Sequence, residues 1–182
     1  MTDARFDDVL RRAMELWHDF CASRDSEFHR VIPADLPSAI EFLQQQRQVG
    51  HTFLELGSAT GAITILADLI GFEAYGIEIE PALVEVAERF ADEVGSGATF
   101  VEGSFVPEEY RDEVSLLEAD YMTPTEGADA YAEMGLEIAD FDLVYVYPWP
   151  GEEEWLIEML RRFGGERTRL MVYTVRDGYE II

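Results

Sequence analysis

Short apolar segments alternate with amphipathic stretches along most of the chain after residue 50. The short segments end at glycine or polar residues and predict strands, whereas the longer stretches repeat apolar residues at helical spacing and predict helices. The predicted strands are residues 51–56, 73–78, 99–102, 141–147 and 170–175, and the predicted helices between them are residues 62–70, 81–94 and 152–163. This alternation is typical of an α/β domain with a mostly parallel sheet.

The N-terminal region has a different pattern. Apolar residues at helical spacing predict helices over residues 6–21 and 38–48, the second with Ser38 as its N-cap. We therefore expect residues 1–50 to form an N-terminal helical extension that packs on an α/β domain of residues 51–182, with the whole chain as one compact unit.

Two later segments depart from a minimal repeat of strand and helix. Residues 106–140 form a long connection, for which we expect one or two short helices and a turn near residues 123–127. Residues 177–182 leave room for at most one short strand after the fifth. The C-terminal edge of the sheet is therefore expected to be shortened.

The charge of the chain limits its partners. All 13 basic residues are arginine, against 38 acidic residues, and the net charge is −25. A surface this acidic repels the phosphates of nucleic acids and favours a cationic partner, such as a basic protein or an amine. We therefore expect no nucleic-acid partner. The sequence leaves open whether the protein is a monomer or a dimer.

Other composition features bear on location and metals. The chain has no apolar run long enough to cross a bilayer, and its first residues lack the basic start and apolar core of a secretory signal. A cytoplasmic protein without membrane contact is expected. Cys21 is the single cysteine, so that no intrachain disulfide can form and no thiolate metal site is expected.

The segment Glu55-Leu-Gly57-Ser-Ala-Thr-Gly61 follows the first predicted strand of the α/β domain and precedes a helix. Glycine directly after a strand lets the backbone turn sharply and approach a ligand, and the helix N-terminus offers unpaired N–H groups. A dinucleotide site would have G-x-G-x-x-G, but the corresponding residues here are Gly57, Ala59 and Ala62.

ELGSATG resembles the first motif of the class I S-adenosylmethionine (SAM)-dependent methyltransferases, (D/E)-x-G-x-G-x-G, with Ala59 in place of the middle glycine. The resemblance implies a Rossmann-like three-layer sandwich with SAM as the methyl donor. It also implies that Glu55 lies near the amino group of SAM. The loop that would hold the methionine part consists of Gly57, Ser58, Ala59, Thr60 and Gly61.

Glu78 ends the second strand of the α/β domain, 21 positions after Gly57. A carboxylate there can accept hydrogen bonds from the ribose hydroxyls of SAM, and the next residue, Ile79, would also contact the cofactor. The same geometry reads the ribose of a nicotinamide cofactor, so Glu78 alone does not separate the two ligands. Glu80 is an alternative ribose carboxylate.

The third strand ends in Glu102-Gly-Ser104-Phe105, where methyltransferases often have Gly-Asp with the acid on the adenine amino group. Ser104 takes the place of that acid, so a hydroxyl or a backbone group would supply the adenine contact. Phe105 either stacks on adenine or belongs to the core.

The fourth strand leads into Tyr147-Pro148-Trp149-Pro150, which faintly resembles the (D/N)-P-P-(Y/F/W) loop of amino-methylating members. Because Tyr147 replaces the Asp or Asn that holds the target nitrogen, adenine methylation is not inferred. The predicted catalytic residues at this acceptor side are Tyr147, Pro148, Trp149 and Glu152. The alternative is a rigid turn in which Trp149 packs on the following helix.

Together these segments predict an enzyme that moves a methyl group from SAM to an unidentified acceptor, with a small-molecule amine or a basic protein favoured. A base is needed only if the acceptor must lose a proton. Further candidates for a base or a lid are Tyr145, His18, His29, His51, Asp120 and Tyr121.

Two alternatives to a methyltransferase stay open. The first is a catalytically inactive SAM-binding interaction module, which Ala59, Ser104 and the short C-terminus allow. The second, less favoured, is an NAD(P)-dependent oxidoreductase, for which the chain lacks a Tyr-x-x-x-Lys pair because it contains no lysine.

Overall fold

The computed structural model describes residues 4–22, 34–116 and 123–182. Its helices are α1 (Ala4–Ala22), α2 (Leu36–Gln46), α3 (Ala62–Ile70), α4 (Pro81–Val94), α5 (Glu108–Ser115), α6 (Ala130–Met134) and α7 (Glu153–Phe163), with a short 3-10 helix at Ile138–Asp140. Its strands are β1 (Thr52–Leu56), β2 (Glu73–Glu78), β3 (Thr99–Glu102), β4 (Leu143–Val146), β5 (Arg169–Thr174) and β6 (Gly178–Ile181).

Within the described residues the strands form one six-stranded sheet in the order β3-β2-β1-β4-β5-β6. The first five strands are parallel, and β6 pairs antiparallel with β5. The chain order reverses between β1 and β4, which is where open α/β sheets bind ligands at the carboxyl ends of their strands. The predicted α/β fold class is confirmed, and β6 is the short edge strand that the sequence allows after β5.

Alternation of side chains along the strands divides the core into two apolar layers. Phe53 of β1 and Tyr145 of β4 face the layer that contains α1, α2, α3 and α4. Leu54 and Val144 face the opposite layer, which contains α5, α6 and α7. The molecule is therefore the predicted three-layer sandwich, with its helices on both faces of the sheet.

The N-terminal helices share the first of these layers. Phe6, Val9 and Leu16 of α1 and Leu43 of α2 are buried there, and α1 contacts both α3 and α4. The division into an extension and a domain stays a prediction. Of the helices in the described part of the chain, none combines the length and apolar character that a bilayer crossing requires.

Some predicted boundaries were wrong, for local reasons. Helix α2 begins at Leu36, and its N-cap is Asp35, whose carboxylate accepts from the backbone N–H of Ser38 at 3.2 Å and from its hydroxyl at 2.7 Å. Asp is as good an N-cap as Ser, and Pro37 suits the first turn. Strand β4 is shorter than predicted, because the 3-10 helix before it ends at Asp140 and Pro148 after it has no N–H to pair.

Candidate functional site

The predicted SAM-binding loop lies at the carboxyl ends of β1 and β2. The backbone N–H groups of Gly57 and Ser58 both donate to the carbonyl oxygen of Ile77 at 2.9 Å, which ties the loop to β2. Gly57 has φ +78°, and the nearest atom to a Cβ placed there would be Cε1 of Phe105, at 3.9 Å. Space in front of the loop is therefore open, with Phe105 at its border.

Three further loop residues were predicted at the cofactor. Ser58 is buried, and its hydroxyl has no hydrogen-bond partner among the described residues. Thr60 is half-buried, and Gly61 forms the N-cap of α3 without a side-chain cap. A ligand at this end of α3 would therefore meet backbone N–H groups rather than a capping side chain.

Ala59 is the one non-glycine residue in the described chain with positive φ, at +47°. Its N–H donates to Oε2 of Glu78 at 2.8 Å, so the left-handed turn also joins the loop to the end of β2. A left-handed conformation costs an L-residue with a Cβ roughly 1–2 kcal/mol. Ala59, which stands in place of the motif's middle glycine, therefore keeps the turn at the cost of local backbone strain.

We expect Ala59→Gly to stabilise the protein, because glycine adopts this conformation without the Cβ penalty. Glycine also has more freedom in the unfolded chain, so the net gain should be about 0.5–1 kcal/mol. Thermal unfolding should show the melting temperature rising by about 1–4 °C. Gly95→Ala, which places a Cβ at φ +68° in open space, is the reverse control and should lower the melting temperature. A destabilised Ala59→Gly variant would contradict this reading of the loop.

Glu55 is buried at the end of β1, with 6% of its surface exposed. Its Oε2 accepts from the backbone N–H of Thr64 at 3.0 Å and from the Thr64 hydroxyl at 2.5 Å. The pKa of Glu55 is raised to about 8, mainly by burial and to a lesser extent by the nearby Glu78, against the Thr64 hydrogen bonds, which lower it. Glu55 is thus a carboxyl group that a cation in its pocket would ionise.

Glu78 is held by three backbone N–H groups at the end of β2. Its Oε2 accepts from Ala59 at 2.8 Å, and its Oε1 accepts from Ile79 at 2.9 Å and from Glu80 at 3.0 Å. Burial raises the pKa of Glu78, while these hydrogen bonds act in the opposite direction. Because an ionised carboxylate offers about four acceptor positions, Oε2 can take one further donor, such as a ribose hydroxyl.

The predicted adenine side is bordered by part of the long connection. Ser104 is buried, and its hydroxyl accepts from the N–H of Val106 at 3.2 Å while its own N–H donates to the carbonyl of Ala128 at 2.9 Å. A Cβ on Gly127 would lie 3.2 Å from Cδ1 of Ile79 and 3.4 Å from the nitrogen of Ser104. The segment 127–129 therefore lies against Ile79 and Ser104, two of the residues that were predicted to contact the cofactor.

Arg111 holds this segment in place. Its guanidinium donates to the carbonyl oxygens of Val106 at 3.0 Å, Gly127 at 2.9 Å and Ala128 at 3.4 Å. Sequence reasoning missed Arg111, because its partners lie up to 17 positions away in a connection without a repeating pattern. A single arginine in an acidic segment gives no signal of such a contact.

Phe105, for which adenine stacking and a place in the core were both predicted, is half-buried. Its ring is nearly parallel to that of Trp155 on α7, with centroids 6.5 Å apart, and its edge borders the space in front of Gly57. The hydroxyl of Tyr131 donates to the Phe105 carbonyl at 2.7 Å, which fixes the backbone there. One face of the ring therefore packs in the core, whereas its edge borders the open space in front of Gly57.

The four predicted catalytic residues do not share one surface. Tyr147 is half-buried on the α1–α4 face of the sheet and packs edge-on against Tyr173 at 5.0 Å. Pro148 is buried on the opposite face beside Leu156 of α7. Trp149 is half-buried in the turn that leads into α7, where its carbonyl accepts from the N–H of Glu152 at 3.0 Å.

Glu152 lies at the start of α7 with only 1% of its surface exposed. Its carboxylate accepts from the backbone N–H of Thr123 at 2.9 Å and from the Thr123 hydroxyl at 2.5 Å. These contacts join the start of α7 to the middle of the long connection. A role for Glu152 as a base stays a prediction.

Sequence reasoning also missed a group of aromatic rings beside Glu55. The tyrosine cluster consists of Tyr147 from the end of β4, Tyr173 from β5 and Tyr179 from β6. Tyr173 and Tyr179 lie opposite each other in the antiparallel pair, with ring centroids 4.6 Å apart. Tyr145 lies two residues before Tyr147, on the same face of β4, and is fully buried. Its ring centroid is 6.0 Å from that of Tyr179.

The remaining candidates for a base lie elsewhere. His18 is exposed on α1. His51 precedes the amino end of β1, at the opposite edge of the sheet, where Arg47 donates to its Nδ1 at 2.8 Å. His29, Asp120 and Tyr121 lie outside the described residues.

No protein-family model matches the chain. A curated relative, the ribosomal protein L11 methyltransferase of Thermus thermophilus, is 33% identical over 66 residues. This match spans 36% of the chain and 26% of that relative. The likeness is therefore local, and the chain matches about a quarter of the length of that methyltransferase.

Solved structures with a similar fold match a larger part of the chain than this relative does. An RNA methyltransferase from Salinibacter ruber, in complex with S-adenosylhomocysteine (SAH), superposes with a TM-score of 0.54 at 23% identity, over 78% of this chain and 76% of that one. An O-methyltransferase from Bacillus cereus, also in complex with SAH, gives a TM-score of 0.57 at 14% identity, over 97% and 69%. The chain therefore has the fold of the class I SAM-dependent methyltransferases.

Proposed function

We propose that the protein is a SAM-dependent methyltransferase. The observation that carries the proposal is a pair of buried carboxyl groups, Glu55 and Glu78, at the carboxyl ends of neighbouring strands on either side of the 57–61 loop. A buried carboxyl group without a permanent cation costs stability in the empty protein, which is typical of a group that binds a ligand. The two SAH complexes of the same fold and the local likeness to a curated methyltransferase support this assignment.

The residues present fit the donor. The open space before Gly57 and the unpartnered hydroxyl of Ser58 leave room and hydrogen-bonding capacity at the loop. Glu55 would face the amino group of the methionine part, and the free acceptor position of Glu78 would face a ribose hydroxyl. Ile79, Ser104 and the edge of Phe105 would border the adenine.

SAM supplies an activated methyl group on a sulfonium, so methyl transfer is an in-line displacement that depends mainly on alignment. The chain would therefore contribute by fixing the donor between β1 and β2 and by holding the acceptor near the end of β4. The pKa of Tyr147 is raised by burial, so its phenol stays protonated and is unsuited to act as a base. We propose that Tyr147 orients the acceptor instead.

The acceptor itself is proposed from charge. The net charge of −25 attracts cations and repels phosphates, which favours an amine or a basic protein over a nucleic acid. Long-range attraction of this kind raises the encounter rate and weakens with added salt. It does not by itself define a binding pocket.

The donor assignment is tested by titrating the purified protein with SAH by calorimetry, with NADH as the control ligand. We expect SAH to bind with micromolar affinity and NADH not to bind. Glu78→Ala should weaken SAH binding about 10- to 150-fold, because hydrogen bonds to a charged group contribute about 1.5–3 kcal/mol. No binding of SAH, or a preference for NADH, would contradict the proposal.

A matched variant separates the local effect from the loss of one negative charge. Glu102→Ala removes an exposed carboxylate from β3 at the position that pairs with Glu78. It should leave SAH affinity within about two-fold of the original, as expected for surface charges that solvent screens. A similar loss in both variants would indicate a general electrostatic effect rather than a ribose contact.

A further inference from the structure

The tyrosine cluster lies at the carboxyl edge of the sheet, beside the strands that are proposed to hold the donor. Tyr147 and Tyr173 are at the carboxyl ends of β4 and β5, and the β5–β6 turn brings Tyr179 beside them. β1 and β4 are neighbours in the sheet, with Glu55 paired to Tyr145, so the cluster and Glu55 share one face of the sheet. The three rings are half-buried, in contrast to the fully buried Tyr145.

The rings form a continuous aromatic surface. Tyr147 and Tyr173 meet edge to face at 5.0 Å, and Tyr173 and Tyr179 are tilted by 41° at 4.6 Å. Phe42 of α2 packs against Tyr179, with ring centroids 5.8 Å apart. The Tyr179 hydroxyl donates to the carbonyl oxygen of Asp35 at 3.2 Å. The rings are therefore held in place by their neighbours before any ligand arrives.

The rings of this surface carry no charge of their own. Burial raises the pKa of Tyr179, and the carboxylates of Glu55 and Asp35 raise it further. Burial likewise raises the pKa of Tyr147, with Tyr173 adding to the effect. The phenols therefore stay neutral, with the electron-rich ring faces that attract cations, in a protein of net charge −25.

We propose that the tyrosine cluster binds the amine end of the methyl acceptor and holds it by cation–π contact as its nitrogen becomes positively charged. This inference rests on the proposed function and adds a substrate class to it: an amine acceptor, free or on a side chain. Aromatic faces that surround alkylammonium groups are a general solution for recognising such ligands.

The transfer balances without a further reactant. The lone pair of the neutral amine attacks the methyl carbon, the new N–C bond forms as the S–C bond breaks, and the electron pair remains on sulfur as SAH forms. The positive charge thus moves from sulfur to nitrogen, beside the aromatic surface. If the methylated amine still carries an N–H, it can release that proton to water afterwards.

The test uses choline, whose trimethylammonium group represents the product of such a transfer, and 3,3-dimethyl-1-butanol, its neutral isostere. Binding of each probe is followed by NMR titration, with and without saturating SAH. We expect choline to bind about ten-fold more tightly than the isostere. Equal binding of the two probes, or no binding of choline, would overturn the proposal.

Variants of one ring separate the cation–π contact from simple packing. Tyr173→Leu should weaken choline binding about five- to ten-fold, whereas Tyr173→Phe, which keeps the ring, should change it less than about two-fold. Tyr147→Leu is a second variant in case Tyr173→Leu folds poorly. The matched control is Tyr75→Leu, since Tyr75 packs against Phe141 on the other face of the sheet. Unchanged choline binding in both cluster variants would contradict the assignment.

The outcome is distinguishable from failure of the proposed function. SAH affinity is measured separately in every variant and should stay within about three-fold, because these rings are not assigned to the donor. A protein that binds no SAH contradicts the methyltransferase proposal, yet its donor-free titration with choline still tests the cluster. A protein that binds SAH but does not distinguish the two probes contradicts the cluster alone.

Discussion

Replacing Gly61 by alanine should destabilise the protein by about 2–4 kcal/mol, since two penalties act at once. Gly61 has φ +80°, which a residue with a Cβ adopts only at a cost. An added Cβ would also lie 2.5 Å from Cζ of Phe100 and 2.8 Å from Cβ of Ala87. Both neighbours are buried core residues, and Ala87 is fixed by helix α4, so that the contact cannot be relieved by moving a flexible side chain.

The measurement is thermal or urea unfolding of the variant beside the parent protein. A loss of this size should lower the melting temperature by about 5–15 °C in a chain of this length. The SAH affinity should fall as well, because Gly61 closes the loop that also contains Gly57. Gly95→Ala is the control: Gly95 has φ +68° but no atom within 4 Å of an added Cβ, so it should cost only about 1 kcal/mol. Equal effects of the two substitutions would show that packing at Gly61 contributes nothing.

The loop that contains Gly61 illustrates which parts of the site the sequence can predict. Local strand–turn–helix chemistry places Gly57, Gly61 and Glu55 within seven consecutive residues, so their spacing alone predicts one loop. Glu78 follows from the same reasoning, since parallel neighbours end at the same edge of a sheet. The structure brings these residues together, and their roles toward a ligand stay proposals.

The tyrosine cluster and the Arg111 contacts could not be found in this way. Tyr179 meets Tyr173 only because β6 turns back on β5 in one particular register, and a shift by one residue would place it on the other face. Arg111 reaches the carbonyls of Gly127 and Ala128 across a connection with no periodic pattern. Contacts that depend on strand register or on irregular loops have no local signature.

Thr64 is an intermediate case. It lies nine positions after Glu55, in the first turn of α3, and both its N–H and its hydroxyl bond to the Glu55 carboxyl group. A hydroxyl residue in the first turn of a helix that follows an acidic strand end is a signal that sequence reasoning could have used. These bonds fix one oxygen of the carboxyl group and lower its pKa in part, whereas its burial raises the pKa to about 8.

Glu55→Gln should make the protein more stable at pH 8, and the advantage should disappear in acid. The pKa of Glu55 is raised by burial from 4.5 to about 8 in the folded protein, so between these values the folded state keeps a proton that the unfolded chain has lost. Stability falls with rising pH wherever the unfolded state binds fewer protons. This carboxyl group therefore lowers the free energy of unfolding from pH 4.5 up to about pH 8, by roughly 4 kcal/mol in total, and has no further effect above that range.

Urea unfolding of both proteins between pH 4.5 and pH 8.5 isolates this contribution, because every other titrating group is common to the two. The glutamine oxygen can still accept both Thr64 hydrogen bonds, so the variant should match the parent protein near pH 4.5 and exceed it by roughly 4 kcal/mol at pH 8. Glu73→Gln, which removes an exposed carboxyl group at the start of β2, is the control for loss of a charge and should not reproduce this difference. Parallel pH profiles for Glu55→Gln and the parent would show that Glu55 is ionised in the folded protein.

The same substitution should weaken SAH binding about 30- to 100-fold, since a neutral amide cannot balance the charge of the donor's ammonium group. In the parent protein below pH 8, that ammonium group would favour the ionised carboxyl, so SAH binding should release a proton. Calorimetry in buffers of different ionisation enthalpy measures the release directly, and Glu55→Gln should abolish it. A residue that costs stability when the site is empty and gives affinity when it is filled is expected of a ligand-binding group. Undiminished SAH affinity in Glu55→Gln would instead leave the burial of this carboxyl group without a functional reason.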